Sequence, residues 1–272
     1  MLNINSATEF LTKEQIKERA SSVFTTTASP STSEHYSHIS TEKILDDMSA
    51  LGWGVVDAKQ VRARKQDTIG FQKHLVVFRN EDIQITSEDG ENVYPQILLT
   101  NSHDGKNAFT FTAGLFRMIC ENGLVISTQE FGQLKIRHMG YSFDELQNVV
   151  KQITEKLPLT IASLNKFREV ELMEQEMIDF ATKAISTRFT EDEINNIVID
   201  FDDLLTPTRP QDKGNDLWSV YNVIQEKLTH GLFNYNSGGK IRKARKIKNF
   251  NQDIQLNERL YDLALEYIPV AR

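Results

Sequence analysis

The chain is nearly free of cysteine: Cys120 is its one thiol. A lone thiol closes no intramolecular disulfide and builds no cysteine zinc cluster, which suits a reducing compartment. Long apolar runs are also missing. None approaches the ~18 residues that a membrane span needs. Residues 1–5 lack the basic segment and apolar core of a secretory signal. No membrane partner is expected. Glycine-rich phosphate loops of the P-loop or dinucleotide kind are absent, so no cofactor is expected. Positive charge is in deficit: 31 Lys and Arg stand against 38 Asp and Glu, a net charge of −7. That balance excludes a uniformly basic nucleic-acid-binding domain.

What is present is the composition of a folded protein. The chain has 272 residues, 39% of them hydrophobic, so one or two domains are expected. Residues 1–40 read as an N-terminal arm: a helix from Thr8 to Arg19, then a Ser/Thr-rich linker over residues 21–33. Residues 41–140 read as an α+β sheet core. Ser40 or Thr41 caps a helix bearing Ile44, Leu45 and Met48, and Gly52 ends it. The period then changes to two. Residues 61–64, 74–79, 96–100, 108–111, 124–127 and 133–137 read as strands of an antiparallel meander, with turns at 88–91 and 101–106. Residues 115–121 read as a short helix that Asn122 and Gly123 terminate.

Residues 141–272 read as a helical region. Phe143, Leu146, Val149, Val150, Ile153 and Leu157 form one stripe, which Pro158 breaks. A long helix is expected over 159–189, another over 191–205, one from Leu217 to Gly231 and a last one around Leu256, Leu260 and Leu263. The fold class is α+β, an antiparallel meander with packed helices followed by a mainly helical half.

Charge is unevenly spread along this framework. Residues 55–80 carry a net +4, including Arg62, Arg64, Lys65 and Lys73. Arg62 and Arg64, two apart on an expected strand, project from one face. Residues 240–248 carry +6 in nine positions: Lys240, Arg242, Lys243, Arg245, Lys246 and Lys248. Gly238 and Gly239 precede them, with Tyr235 and Phe250 close by. Residues 169–203 carry −9. The basic segments suit phosphates, and the two aromatics suit stacked bases. An acidic run is more often a solvated helix face.

Catalytic signals are weak. His103 and Asp104 are adjacent, and joining them to His138 would make a catalytic cluster, but Asp104 and Gly105 are ordinary turn formers. His35 and His38 lie three apart in a polar stretch, and Asp200, Asp202 and Asp203 cluster without a metal-site pattern. Cys120 reads as a packing thiol. No catalytic residue and no metal ligand is expected.

Three segments resemble a known family. Residues 99–105 (Leu-Thr-Asn-Ser-His-Asp-Gly), 114–124 (Gly-Leu-Phe-Arg-Met-Ile-Cys-Glu-Asn-Gly-Leu) and 137–140 (Arg-His-Met-Gly) resemble the phage/plasmid-like protein family known as domain of unknown function family 932. Residues 36–41 and 216–222 resemble its opening and C-terminal motifs. The resemblance implies a source on mobile elements and a cytoplasmic location in a bacterial host; it supplies no activity. The order of elements, with a helix ending at Leu51-Gly52-Trp53 before a basic meander, is also similar to single-strand annealing proteins of the eukaryotic recombination-mediator superfamily. The expected function is therefore single-stranded-DNA binding, with strand annealing in recombination or replication and homo-oligomer formation. The alternative is a protein-interaction module, such as an inhibitor of host defence, that docks its acidic helices on a host protein.

Overall fold

The computed structural model describes residues 10–63, 65–83, 85–86, 92–107, 109–117, 122–125, 134–136 and 141–269. Two compact units form. The first holds Met1–Leu124 and Phe131–Lys156, the second Val125–Glu130 and Leu157–Arg272.

The first unit opens with α1, Lys13–Arg19, which is shorter than expected because its cap is Thr12. The Thr12 hydroxyl accepts from the Gln15 N–H at 3.3 Å, and the Gln15 side chain accepts from the Thr12 N–H at 2.8 Å. The Ser/Thr-rich stretch over residues 21–33 lies along the first unit. Ser21–Phe24 form a 3-10 turn, and Ile16, Ala20 and Val23 are all buried. Their spacing of three to four residues lays one apolar face on the sheet. The Ser29 N–H donates to the His103 carbonyl at 2.8 Å, so the polar backbone finds partners there too. Helix α2, Thr41–Ala50, starts as expected, with the Ser40 hydroxyl accepting from the Lys43 N–H at 3.2 Å. Gly52 follows it at φ 82°, a conformation that favours glycine.

Among the described residues the sheet has seven antiparallel strands: β1 Gly54–Gln60, β2 His74–Arg79, β3 Ile85–Thr86, β4 Asn92–Asn101, β5 Phe109–Arg117, β6 Asn122–Val125 and β7 Leu134–Ile136. Their order is β1-β2-β4-β5-β6, with β3 against β4 and β7 against β5. Strand β2 is buried along its whole length. Two expectations are corrected here. Residues 61–63 are not a strand, because the last paired rung is Gln60–His74 and, beyond it, the Val61 N–H still reaches the Lys73 carbonyl at 2.9 Å before the chain turns into a loop. Residues 115–117 are not helical, because they extend β5, where they face Val93, Tyr94 and Pro95 of β4. Helix α3, Phe143–Glu169, runs through Pro158 without ending. A proline inside a helix costs about 3 kcal/mol. Apolar residues on both sides of it offset that cost, with Leu146, Val149, Val150 and Ile153 buried before it and Leu164 and Phe167 buried after it. The unit boundary falls between Lys156 and Leu157, beside that proline.

In the second unit the expected helix over 159–189 is interrupted. The Val170 carbonyl accepts from the Leu217 N–H, and the Leu172 N–H donates to the Asn215 carbonyl, both at 2.8 Å. Helix α4 is Glu174–Ile185. The single helix expected over 191–205 is three elements: α5 Glu191–Ile194, β8 Ile197–Ile199 and α6 Phe201–Leu205. The β-branched run Ile197-Val198-Ile199 favours a strand, and the Asp200 side chain then caps α6 by accepting from the Asp203 N–H at 3.1 Å.

Helix α7, Leu217–His230, is the hub. Its residues from Leu217 to Thr229 are all buried, so its polar members need internal partners. Glu226 accepts from Arg209 and Thr208, Lys227 donates to the Asp203 carbonyl, and Gln225 donates to Asn257. Strands β9, Asn234–Ser237, and β10, Lys240–Lys243, follow, then α8, Phe250–Leu265. The small sheet has the order β10-β9-β8. Among the described residues no helix is long and apolar enough to cross a membrane.

Candidate nucleic-acid interface

The two basic segments belong to different units. In the first unit, residues 61–73 form the loop between β1 and β2. Arg62 and Lys65 are exposed, Lys73 is half-buried, and Arg64 lies outside the described residues. Burial pushes the Lys73 ammonium below its ordinary value. Strand β1 stops at Gln60, so Arg62 lies beyond it; the expected face shared with Arg64 lies outside the described residues.

The second segment is built differently. Gly238 and Gly239, at φ 61° and 75°, join β9 to β10 in a tight hairpin. Two consecutive positive φ values are what a two-residue hairpin of matching twist requires. Lys240, Ile241, Arg242 and Lys243 of β10 are all exposed. After the strand, the Ala244 N–H donates to the Phe233 carbonyl and the Ile247 N–H to the Thr229 carbonyl, both at 2.9 Å. These bonds tie the segment along the end of α7. Gly231, at φ 69°, makes the close approach possible: a Cβ there would stand 2.5 Å from the Arg245 carbonyl carbon.

Arg188 holds the segment from the other side. Its guanidinium donates to the Leu228 and Arg245 carbonyls and lies 5.5 Å from the ring centres of Phe189 and Phe233. Leu228 sits in the last turn of α7, where carbonyls lack helical partners and favour a cation. Burial pulls the Arg188 pKa below its ordinary value.

Two clefts flank this brace. One, about 580 Å³, is lined by Arg188, Phe189, Tyr235, Arg242, Lys243, Ala244 and Arg245. The other, about 400 Å³, includes Arg188, Arg245, Lys246, Lys248 and Arg259 in its lining. No carboxylate lines either among the described residues. Arg242, Lys243, Arg245, Lys246 and Lys248 of the sequence cluster thus come to the clefts, while Lys240 stands beside the hairpin turn. Tyr235 is half-buried with its ring 5.8 Å from Phe189. Phe250, expected to stack on bases, is instead 7% exposed at the start of α8. Sequence reasoning missed Phe189 and Arg259 as lining residues, and met Arg188 only as a cation inside an acidic run. Arg188 and Arg245 are 57 residues apart, so only the fold joins them.

The acidic run has local uses. Glu193 and Thr190 form the capping box of α5, and Glu176 accepts from the Met173 N–H at the start of α4. Asp203 pairs with Lys227 at 3.5 Å and accepts from the Asn234 N–H at 2.8 Å, which anchors β9. Carboxylates at helix N-termini are what the helix dipole favours.

The histidine candidates also change character. His103 is buried between His38 and His74, with ring centres 4.6 and 5.1 Å away. Asp104 serves its own turn, accepting from the Ser102 hydroxyl at 2.7 Å and the Lys106 N–H at 3.1 Å. His35 is exposed and neither it nor His38 is helical. His138 and Cys120 lie outside the described residues. Among the described residues, no group of three or more His, Cys, Asp or Glu is placed to hold a metal ion.

Nδ1 of the buried His74 lies 3.1 Å from both the Gln72 carbonyl and the Ser22 hydroxyl. Nε2 lies 2.9 Å from the Thr41 hydroxyl, which also accepts from the Asn101 amide at 3.0 Å. Burial pushes the His74 pKa down to about 4.

Fold and site together define an α+β protein with a cationic cleft on a small sheet and a buried histidine cluster in a larger one. The chain belongs to the family described as Domain of unknown function (DUF932), which it matches over residues 30–261. It is similar to the UPF0380 protein YafZ of Escherichia coli (strain K12), 32% identical over 262 residues that cover 93% of this chain and 90% of that protein. The UPF0380 protein YfjQ of the same strain is similar to the same extent, with 32% identity and the same coverage. No solved structure matches.

Proposed function

We propose that the protein binds single-stranded nucleic acid through the second unit, using the paired clefts beside β10. The observation that carries this is the first cleft, where four cations and two aromatic rings meet without a carboxylate. Arg242, Lys243 and Arg245 would neutralise successive phosphates, and Tyr235 and Phe189 give a surface for bases. Lys246, Lys248 and Arg259 in the second cleft extend the track. The first-unit residues Arg62 and Lys65 play at most a peripheral part, since no cleft lined by cations and rings is described beside them. Phosphate contacts carry no sequence information, so binding is sequence-independent. Strand annealing in recombination or replication would follow if copies assemble along a bound strand. The test is a titration of a labelled single strand with salt varied from ~50 mM upward. Binding that weakens steeply with salt supports the reading, and no binding at ~50 mM rejects it.

A further inference from the structure

The outer face of the β10-β9-β8 sheet carries a row that the phosphate reading does not use. Ile241 is the direct partner of Asn236, and Asn236 is the direct partner of Val198. Direct partners in antiparallel strands point to the same face. The row is therefore aliphatic, amide, aliphatic. Strands lie ~4.8 Å apart, so Ile241 and Val198 stand about 10 Å apart with the Asn236 amide between them.

This row is open to solvent: Ile241 is 80% exposed and Val198 72%. Asn236, Lys243 and Asn234 on the same face are exposed too. The other face holds Tyr235, Ser237, Ile197 and Ile199, all partly covered, together with the exposed Lys240 and Arg242. Beyond the row, a Cβ on Gly238 or Gly239 would meet no heavy atom within 4 Å, so the hairpin turn stands clear. Two large aliphatic side chains are thus held flat, in register and in the open, next to cations on a rigid hairpin.

We propose that this row is a platform for an unpaired base, resting on the phosphate-binding reading above. The base lies flat on Ile241, the neighbouring Asn236 amide meets its polar edge, Val198 extends the apolar row beyond, and Lys243 holds the adjoining phosphate. The flanking positive charge selects a polyanion, and the flat apolar row selects one whose bases are free. A duplex keeps its base faces stacked away, so the platform makes the protein a reader of single strands. An amide both donates and accepts, so it serves any of the bases.

The test compares an intact oligonucleotide with an abasic one of the same length and charge. The parent protein should bind the intact strand about tenfold more tightly, the scale of one base contact. The double variant I241S/V198S should shrink that gap below about threefold while keeping the same salt dependence. A 2-aminopurine strand should brighten on binding to the parent and not on binding to the variant. If the parent binds neither strand, the phosphate reading fails and the platform falls with it. If the parent binds both equally, the platform and the base surface of Tyr235 and Phe189 are overturned while the phosphate contacts stand; this arm needs no variant. A variant that keeps the full gap also overturns it.

Discussion

Two basic segments have different settings. Residues 61–73 leave the sheet once the β1–β2 ladder ends, and their described cations sit on a loop, with Lys73 half-buried. Residues 240–248 begin as a hairpin strand and stay bonded along the end of α7, braced by Arg188. The first presents its charge on a loop that is bonded at Val61, Gly70 and Phe71. The second presents charge on a fixed backbone, with rings at its side and clefts at its foot. Counting cations along a chain gives the strength of an attraction, and the backbone decides whether that attraction has a geometry.

The contrast can be broken at its base. Replacing Gly231 by Val forces a side chain into the Arg245 and Ala244 backbone and a β-branched residue into φ 69°. A loss of about 4 kcal/mol is expected from strain and overlap together, read as a lower denaturant midpoint. The two tryptophans make the reading local, since Trp53 belongs to the first unit and Trp218 to the second. In a W53F background the Trp218 transition should shift. In a W218F background the Trp53 transition should shift less.

The first unit has its own breaking point in pH. Unfolded His74 takes up a proton near pH 6.5, while the folded protein keeps it neutral down to about 4. Stability is thus fully present above pH 6.5 and falls as pH drops through this window. The loss approaches about 3 kcal/mol below pH 4. Denaturant midpoints followed through Trp53 between pH 7 and 4 check this, and the H74N variant should flatten the profile. An unchanged profile in that variant would remove His74 as its cause.

The sharpest comparison of the two segments is by charge. Neutralising Arg242, Lys243 and Arg245 to Gln should weaken binding of a single strand roughly thirtyfold at low salt and reduce the logarithmic salt slope by about 2. The smallest effect is expected from R62Q/K65Q, about twofold or less. Should that pair cost as much as the triple change, the loop is an equal partner and the contrast drawn here collapses.

Much of this architecture was legible because it depends on short-range signals. Ser40 before Ile44, Leu45 and Met48, with Gly52 after them, defines α2 at both ends. Asp216 and Gly231 do the same for α7, where Asp216 accepts from the Ser219 N–H and Gly231 adopts the left-handed conformation. Other features depend on distant partners. Residues 115–117 look helical alone, yet β4 offers them a ladder. Pro158 looks like a stop, yet helix α3 has apolar residues to bury on both sides of it. The Ser/Thr-rich run looks unstructured, yet Val23 is buried beside Ile16 and Ala20 and the Ser29 N–H bonds the His103 carbonyl. The site follows the same rule. Gly238 and Gly239 between two short polar runs are a hairpin signature within one segment. Arg188 and Phe189 enter the cleft only because α4 ends beside the last turn of α7.

Strand β10 is also an unfinished edge. Among the described residues it pairs with β9 on one side only, so its other side offers free backbone N–H and C=O groups to any extended chain. Lys240, Arg242 and Lys243 keep a second copy from taking that place, because like charges would face each other along the new seam. The cations that suit a polyanion therefore also act as a solubility guard. Removing them for a binding assay should raise the tendency of the protein to self-associate, which light scattering would register alongside the lost affinity.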